Sequence, residues 1–327
     1  MYEKVYENPD IYIIDVPLPN NPLRNLNCYV IKTPEGNLII DTGFNLEECY
    51  SALKEGLEQL EIDIEKTDMF ITHLHSDHSG LAAYIMNKDS TIYMSKKDYN
   101  YLSNMDDKRW KMLYEFYISE GFSEQEMSIL WTVNPAKAYA PDTSFDAVTF
   151  SDNFKFSIGD YEFTCIMTPG HTPGHACIYM EHEKILFSGD HILFDISPNI
   201  TQWVGVKNSL KDYLDSLKKI QRLEIKTTFA GHRKNSMDVY ERIEQLLKHH
   251  DIRLQETINI VTDHSGLNSY DIASCMKWSM RGKNWSEFPV QQKLFAVGET
   301  ISHLDYLMEE NKVYKKLENG VYKYYLN

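Results

Sequence analysis

The stretch ITHLHSDHSG, residues 71–80, places three histidines and an aspartate within six positions: His73, His75, Asp77 and His78. The chain has 12 histidines in 327 residues. From that composition a chance H-x-H-x-D-H is expected in on the order of one chain in a thousand of this length. DMFITH reads as a short buried strand, and SGLAAYIMN as the start of the next helix, so the motif sits on a strand-to-helix connection. His73 and His75, two apart, can project on the same side while the backbone is still extended. Asp77 and His78 lie where the chain turns and face a neighbouring point in space. One loop can thus supply ligands to two adjacent metal ions, whereas a helical H-E-x-x-H serves one ion from a single face.

Two ions need more than four ligands, and further His and acidic residues stand at strand ends. TPGHTPGHA places His171 and His175 just after an apolar strand ending at Met167. FSGDH places Asp190, followed by His191, after ILFS, and FAGH places His232 after TTFA. Each is a ligand-type residue beside a glycine, where a strand ends and the backbone turns tightly. A single Gly-His carries little weight; four such sites in this order argue for a metal centre.

Working outward, NCYVI and NLIID joined by TPEG predict a hairpin, and LEECYSALKEGLEQL a surface helix. FKFSIGDYEFTCIMTPG and ACIYMEHEKILFSGD read as strands, and KNSLKDYLDSLKKIQRL as a periodic helix. This alternation indicates an α/β layered domain. Residues 95 to about 140 interrupt it with helical chain rich in Tyr, Phe, Trp and Met, which reads as a packed helical pair, one face of which could also roof a cleft. The loop HILFDISPNITQWVG follows Asp190, which makes Phe194, Asp195, Asn199 and Trp203 candidates for substrate contact.

The formal net charge of −15 and pI near 5.2 weigh against broad binding to nucleic acid. No apolar run reaches 18 residues, so no transmembrane helix or membrane partner is expected. The start of the chain lacks the basic and apolar blocks of a secretory signal. Cys28, Cys49, Cys165, Cys177 and Cys275 are scattered without C-x-x-C spacing and read as thiols in a reducing cytoplasm.

The sequence resembles the metallo-β-lactamase superfamily from about residue 10 to residue 247. DTG at 41–43, HLHSDH at 73–78, PGHTPGH at 169–175, SGDH at 188–191 and AGH at 230–232 carry the likeness. The resemblance implies an αββα sandwich with a binuclear metal site on one edge, in a hydrolase domain spanning 1–248 with the helical insert inside it. It implies one metal on His73, His75 and His171 and a second on Asp77, His78 and His232, with Asp190 bridging them. Asp41 would orient a ligand loop. His175 would be structural or support a ligand, and His191 would support a ligand or face the cleft, or else be packed. Penicillin-hydrolysing members usually lack the bridging aspartate and often use a cysteine ligand, whereas SGDH supplies Asp190, and Cys165 and Cys177 stand outside the ligand positions. The likeness is therefore to the hydroxyacylglutathione hydrolase, lactonase and phosphodiesterase branches.

Histidine and carboxylate ligands suit zinc, and also manganese or iron, so two divalent ions are expected with zinc foremost. Paired cations acidify a shared water, and hydroxide attacks a carbonyl or phosphoryl centre; Asp77 could also handle the proton passed to the leaving group. The expected substrate is a small ester, thioester or lactone. A phosphodiesterase or nuclease, a di-iron redox protein and a regulatory module with a vestigial site stand as alternatives. Residues 249–327 read as helix, helix and hairpin, resembling a winged-helix unit. Residues 291–310 hold Lys293 against Glu299, Asp305, Glu309 and Glu310, the wrong charge for phosphate. That unit is expected to pack on the hydrolase domain or on a dimer partner.

Overall fold

Strands β1 (Tyr2–Tyr6), β2 (Asp10–Pro17), β3 (Asn25–Lys32) and β4 (Asn37–Ile40) pair antiparallel in chain order. The β3–β4 pair is the hairpin expected from NCYVIKTPEGNLII, with Lys32 opposite Asn37 and the turn closed by Thr33 N donating to Gly36 O at 3.0 Å. Strands β5 (Thr67–Ile71), β6 (Ile92–Ser95) and β7 (Val148–Phe150) extend this sheet in parallel to seven strands. A second sheet has the order β12-β11-β10-β9-β8, from β8 (Phe154–Ile158), β9 (Tyr161–Met167), β10 (Ala176–Met180), β11 (Ile185–Gly189) and β12 (Thr227–Ala230). The computed structural model describes residues 2–87, 90–133, 139, 141, 145–280 and 284–327.

The sheets meet face to face because alternate residues are apolar on both faces of the central strands. Ile31, Leu38 and Phe70 of the first sheet pack with Phe163, Ile178 and Phe187 of the second. Their neighbours Val30, Ile39 and Met69 point the other way, onto Cys49, Leu53 and Leu57 of the helix Glu47–Gln59. Each such side chain contributes about 1.5–3 kcal/mol by leaving water. Gly56 sets how closely that helix lies on β2, since a Cβ there would stand 2.7 Å from Ile14 Cγ2. The αββα layering implied by the resemblance is the architecture found: two sheets flanked by helices.

The chain divides into two compact units, each assembled from separate stretches. The first comprises the described residues of Met1–Ser103, Pro135–Pro198 and Ser216–Ile243, and contains both sheets. The second comprises those of Asn104–Asn134, Asn199–Asp215 and Glu244–Asn327. The interruption after β6 contains helices Lys96–Ser103, Asp107–Ser119 and Glu124–Val133, three where a pair was expected. Residues 134–138, 140 and 142–144 of that interruption lie outside the described residues. The second unit packs Tyr117, Phe122, Val297 and Ile301 in one cluster, and Val261, Leu304 and Tyr324 in another. Its last hairpin, β13 (Val313–Glu318) and β14 (Val321–Leu326), turns on Asn319 and Gly320 at φ of 51° and 83°. Positive φ at both positions is the two-residue turn whose twist matches paired strands.

Candidate metal centre

Every ligand-type residue singled out in the sequence lies just beyond the end of a strand of the first unit. Asp41 follows β4, residues 73–78 follow β5, His171 and His175 follow β9, Asp190 follows β11, and His232 follows β12. Strand β5 stops at Ile71, so His73 lies in a bend rather than on extended chain, and Asp77 and His78 already belong to a helical turn, Ser76–Ser79. The bend nonetheless puts the two rings 4.8 Å apart, because it is held from outside by Asp98, whose Oδ2 accepts the Leu74 amide at 3.0 Å.

Three overlapping groups emerge, each with its ligand atoms within 4.8 Å of one another: His73, His75 and His171; His73, His78 and Asp190; Asp77, His78 and His232. Asp190 stands between the two ends. Its Oδ2 is 3.6 Å from His171 Nε2, and its Oδ1 is 3.5 Å from both His78 Nε2 and His232 Nε2. His232 Nε2 is 3.4 Å from Asp77 Oδ2.

The surrounding residues decide which ring nitrogens face inward. His232 Nδ1 donates to the Asn25 carbonyl at 2.7 Å. His78 Nδ1 donates to Asp41 Oδ2 at 2.7 Å, and Asp41 also accepts from Thr72 N at 2.9 Å and Thr72 Oγ1 at 2.8 Å. The hydroxyl proton of Thr72 being spent on Asp41, its oxygen accepts from His73 Nδ1 at 3.0 Å. The Nε2 atoms of His73, His78 and His232 are thereby turned into the cluster. Asp41 does this from a left-handed backbone, φ 62°, a conformation costly for a non-glycine residue and common where function demands it.

His175 does not join the cluster. Its Nε2 accepts the Asp190 amide at 3.1 Å, so its Nδ1 donates to Thr168 Oγ1 at 2.8 Å. It holds the backbone of Asp190. Gly189, at φ 48°, leaves room for that contact, since a Cβ would lie 2.8 Å from His175 Nε2. His191 is fully buried with its ring 6.0 Å from that of His175. Of the substrate-contact candidates, Phe194 is buried and Asp195 exposed in the first unit. Asn199 and Trp203 belong to the second unit, where Asn199 donates to Glu299 Oε2 at 3.1 Å and to Phe295 O at 3.4 Å.

Three contributors were not singled out from the sequence. Asn27 donates from its side chain to the carbonyls of Ala230 and Arg233, at 2.9 and 2.7 Å, and pins the loop bearing His232. Thr72 orients His73 as described. Asp98 is fully buried; its Oδ2 takes Leu74 N and Thr172 Oγ1 (2.6 Å), and its Oδ1 takes Gly174 N (2.6 Å). Burial raises its carboxyl to about 6 against the lowering effect of those donors. The local signal S-K-K-D, with Ser95 Oγ accepting the Asp98 amide at 3.2 Å, reads as an ordinary helix start.

Charge separates the ends of the cluster. Burial and the neighbouring rings push His73 well down and His75 to about 3. At the other end burial is overcome by carboxylates. Asp41, Asp190 and Asp77 hold His78 well above the usual range, and Asp190 and Asp77 raise His232 to about 10. Asp77 falls to about 2 and Asp190 well below the usual carboxylate range beside these rings, despite burial. Asp190 Oδ1 is buried with no hydrogen-bond donor among the described residues, although two Nε2 atoms face it. His78 Nε2 and His232 Nε2 are themselves only 3.2 Å apart. Nitrogen and carboxylate oxygen at such spacing fit a divalent metal, whose binding would displace the protons that the carboxylates otherwise hold on His78 and His232.

The profile described as "Metallo-beta-lactamase superfamily" matches residues 22–232. This chain belongs to that superfamily. A second profile, "Metallo-beta-lactamase-like, C-terminal domain", matches residues 286–327. Among superfamily relatives, the "Beta-lactamase-like protein 2 homolog" of Caenorhabditis elegans is 27% identical over 267 residues, 79% of this chain and 74% of that protein. The "Thioesterase pkgB" of Emericella nidulans is 22% identical over 243 residues, which cover 74% of this chain but 56% of the fungal protein. The solved metallo-beta-lactamase family protein TTHA1429 from Thermus thermophilus superposes with a TM-score of 0.81 at 24% identity, covering 97% of this chain and 98% of its own. A beta-lactamase domain protein from Burkholderia ambifaria gives 0.83 at 22%, covering 99% and 94%. At such identities these two structures speak for the shared fold. Among the described residues no helix is long and apolar enough to cross a membrane.

Proposed function

We propose that this superfamily member is a binuclear metal-dependent hydrolase of a small thioester, ester or lactone. The observation that carries the reading is Asp190, a buried carboxylate with one oxygen toward each histidine cluster and its Oδ1 without a donor among the described residues. His73, His75 and His171 would hold one ion, and Asp77, His78 and His232 the other, with Asp190 shared; zinc suits this set first, manganese or iron next. When bound, such a pair supplies an acidified water and neutralises charge developing on a carbonyl oxygen.

The chain's own residues prepare that chemistry. Asp41 and the Asn25 carbonyl keep the Nδ1 protons of His78 and His232 outside the cluster. His175 holds the Asp190 backbone, and thereby its carboxylate, in place. Asp77, held ionised by its histidine neighbours, would take a proton from the attacking water and return it to the leaving group. Support for acyl rather than phosphoryl substrates comes from the relative named a thioesterase and from the net charge of −15, which disfavours polyanions. We read 1–248 as the hydrolase domain and 249–327 as a winged-helix-like unit without a nucleic-acid role, since its longest late helix is acidic.

The test is a panel of rates for the zinc- and manganese-loaded protein on a thioester, a lactone and an activated phosphodiester. Turnover of the acyl substrates that disappears with a chelator is the expected result. Turnover confined to the phosphodiester would replace this reading with a nuclease or phosphodiesterase.

A further inference from the structure

Among the described residues Asp98 stands outside every group of potential ligands, yet its carboxylate joins the two loops that deliver the three-histidine cluster. Leu74, whose amide it accepts at 3.0 Å, lies between His73 and His75. Thr172, whose hydroxyl it accepts at 2.6 Å, directly follows His171, and Gly174, whose amide it accepts at 2.6 Å, lies on the same loop. The rings so assembled form a near-regular triangle, with centroid separations of 4.8, 4.9 and 4.7 Å. Gly174 makes the close approach possible, because a Cβ there would lie 2.7 Å from Asp98 Oδ1.

A buried carboxylate is costly unless its oxygens are satisfied, and this one takes two backbone amides and one hydroxyl. All three donors point hydrogen at oxygen. An asparagine in its place would set its own N–H against one of them, and alanine would leave all three without an acceptor. The other cluster has a separate brace: Asp41 on His78, and the Asn25 carbonyl on His232.

We infer that Asp98 is a positioning residue for one half of the metal centre, fixing His73, His75 and His171 as a site while leaving the Asp77, His78 and His232 half to other supports. This rests on the metal-hydrolase reading above. Residues that support ligands in this way typically change metal affinity about 10–100-fold when replaced. The loss should therefore fall on one ion out of two.

The experiment is cobalt(II) titration followed by visible absorption, with metal content by mass spectrometry, on the full chain and on Asp98→Asn. The parent is expected to take up two equivalents. The variant is expected to retain one tightly and to bind the second about 10–100-fold more weakly. Thr172→Val removes one of the three hydrogen bonds and leaves the carboxylate, so it folds more readily and should show a smaller weakening of the same equivalent. Two equivalents bound with parental affinity in both variants would overturn the assignment. So would equal loss of both ions in Thr172→Val, which would make the role a general one. A parent that binds no metal would instead sink the hydrolase reading itself, before any variant is made.

Discussion

Two groups of buried histidines show what distinguishes a candidate metal centre from a packed interior. In the second unit His250 and His303 are both fully buried, with His250 Nδ1 and His303 Nε2 3.2 Å apart. His303 Nδ1 donates to the Glu299 carbonyl at 2.7 Å, so its Nε2 accepts from His250. The nearby acid serves something else: Glu299 faces Arg253 Nε at 3.6 Å and accepts from Asn199. Burial, with the neighbouring rings and Arg253, takes His303 down to about 3 and His250 well below its usual range. At the candidate metal centre Asp41, Asp77 and Asp190 beside His78, and Asp77 and Asp190 beside His232, reverse the sign of the shift. Burial is common to both places; converging carboxylates belong to one.

That contrast can be broken at several points. The largest effect is expected for Asp190→Ala, which removes the shared carboxylate from both halves. Hydrolysis should fall by about a thousandfold or more, with metal content falling in parallel; full activity in this variant would remove Asp190 from the chemistry. Asp41→Ala comes next. It strips the acceptor from His78 Nδ1 and from Thr72, and metal affinity should fall about 10–100-fold in equilibrium dialysis. Unchanged affinity would mean that packing alone orients these rings.

At the His250 and His303 pair the expectation is reversed. His303→Leu leaves the His250 Nδ1–H without its acceptor and should cost about 1–3 kcal/mol in denaturant unfolding, with metal content and activity per folded molecule unchanged. Loss of metal in that variant would contradict a purely packed role.

The effect that is smallest at neutral pH concerns acid. His303 binds its proton more weakly in the folded state, at about 3, than the ordinary value near 6.5 seen in the unfolded chain. Its contribution to stability is therefore complete above about pH 6.5 and is lost as pH falls toward 3, at a slope approaching 1.4 kcal/mol per pH unit. The pair change His250→Leu with His303→Met should flatten this acid limb. An unaltered limb would assign it to other groups.

The strand ends were legible because the β-strand pattern and the ligand-type residues reinforce each other along the chain. ITHLHSDH, SGDH and AGH each place a histidine or aspartate directly after an apolar run, and the same loops meet at one cluster. The hairpins were legible from TPEG and from the Asn319-Gly320 turn, where φ preferences act over two or three residues. Asp98 was not. Its partners Leu74, Thr172 and Gly174 lie 24, 74 and 76 positions away, and its own neighbours spell a helix start. Asn27, some 200 residues from the loop it pins, carries no local signal either.

By itself the sequence determined the layered fold and the membership of the histidine and aspartate cluster, because periodic burial and ligand chemistry are properties of short stretches. The tertiary structure alone decided which ring nitrogen faces inward, which buried acid braces which loop, and that residues 104–134, 199–215 and 244–327 form one unit. Those depend on hydrogen bonds and packing between segments far apart in the chain, and only folding brings such segments within 3 Å.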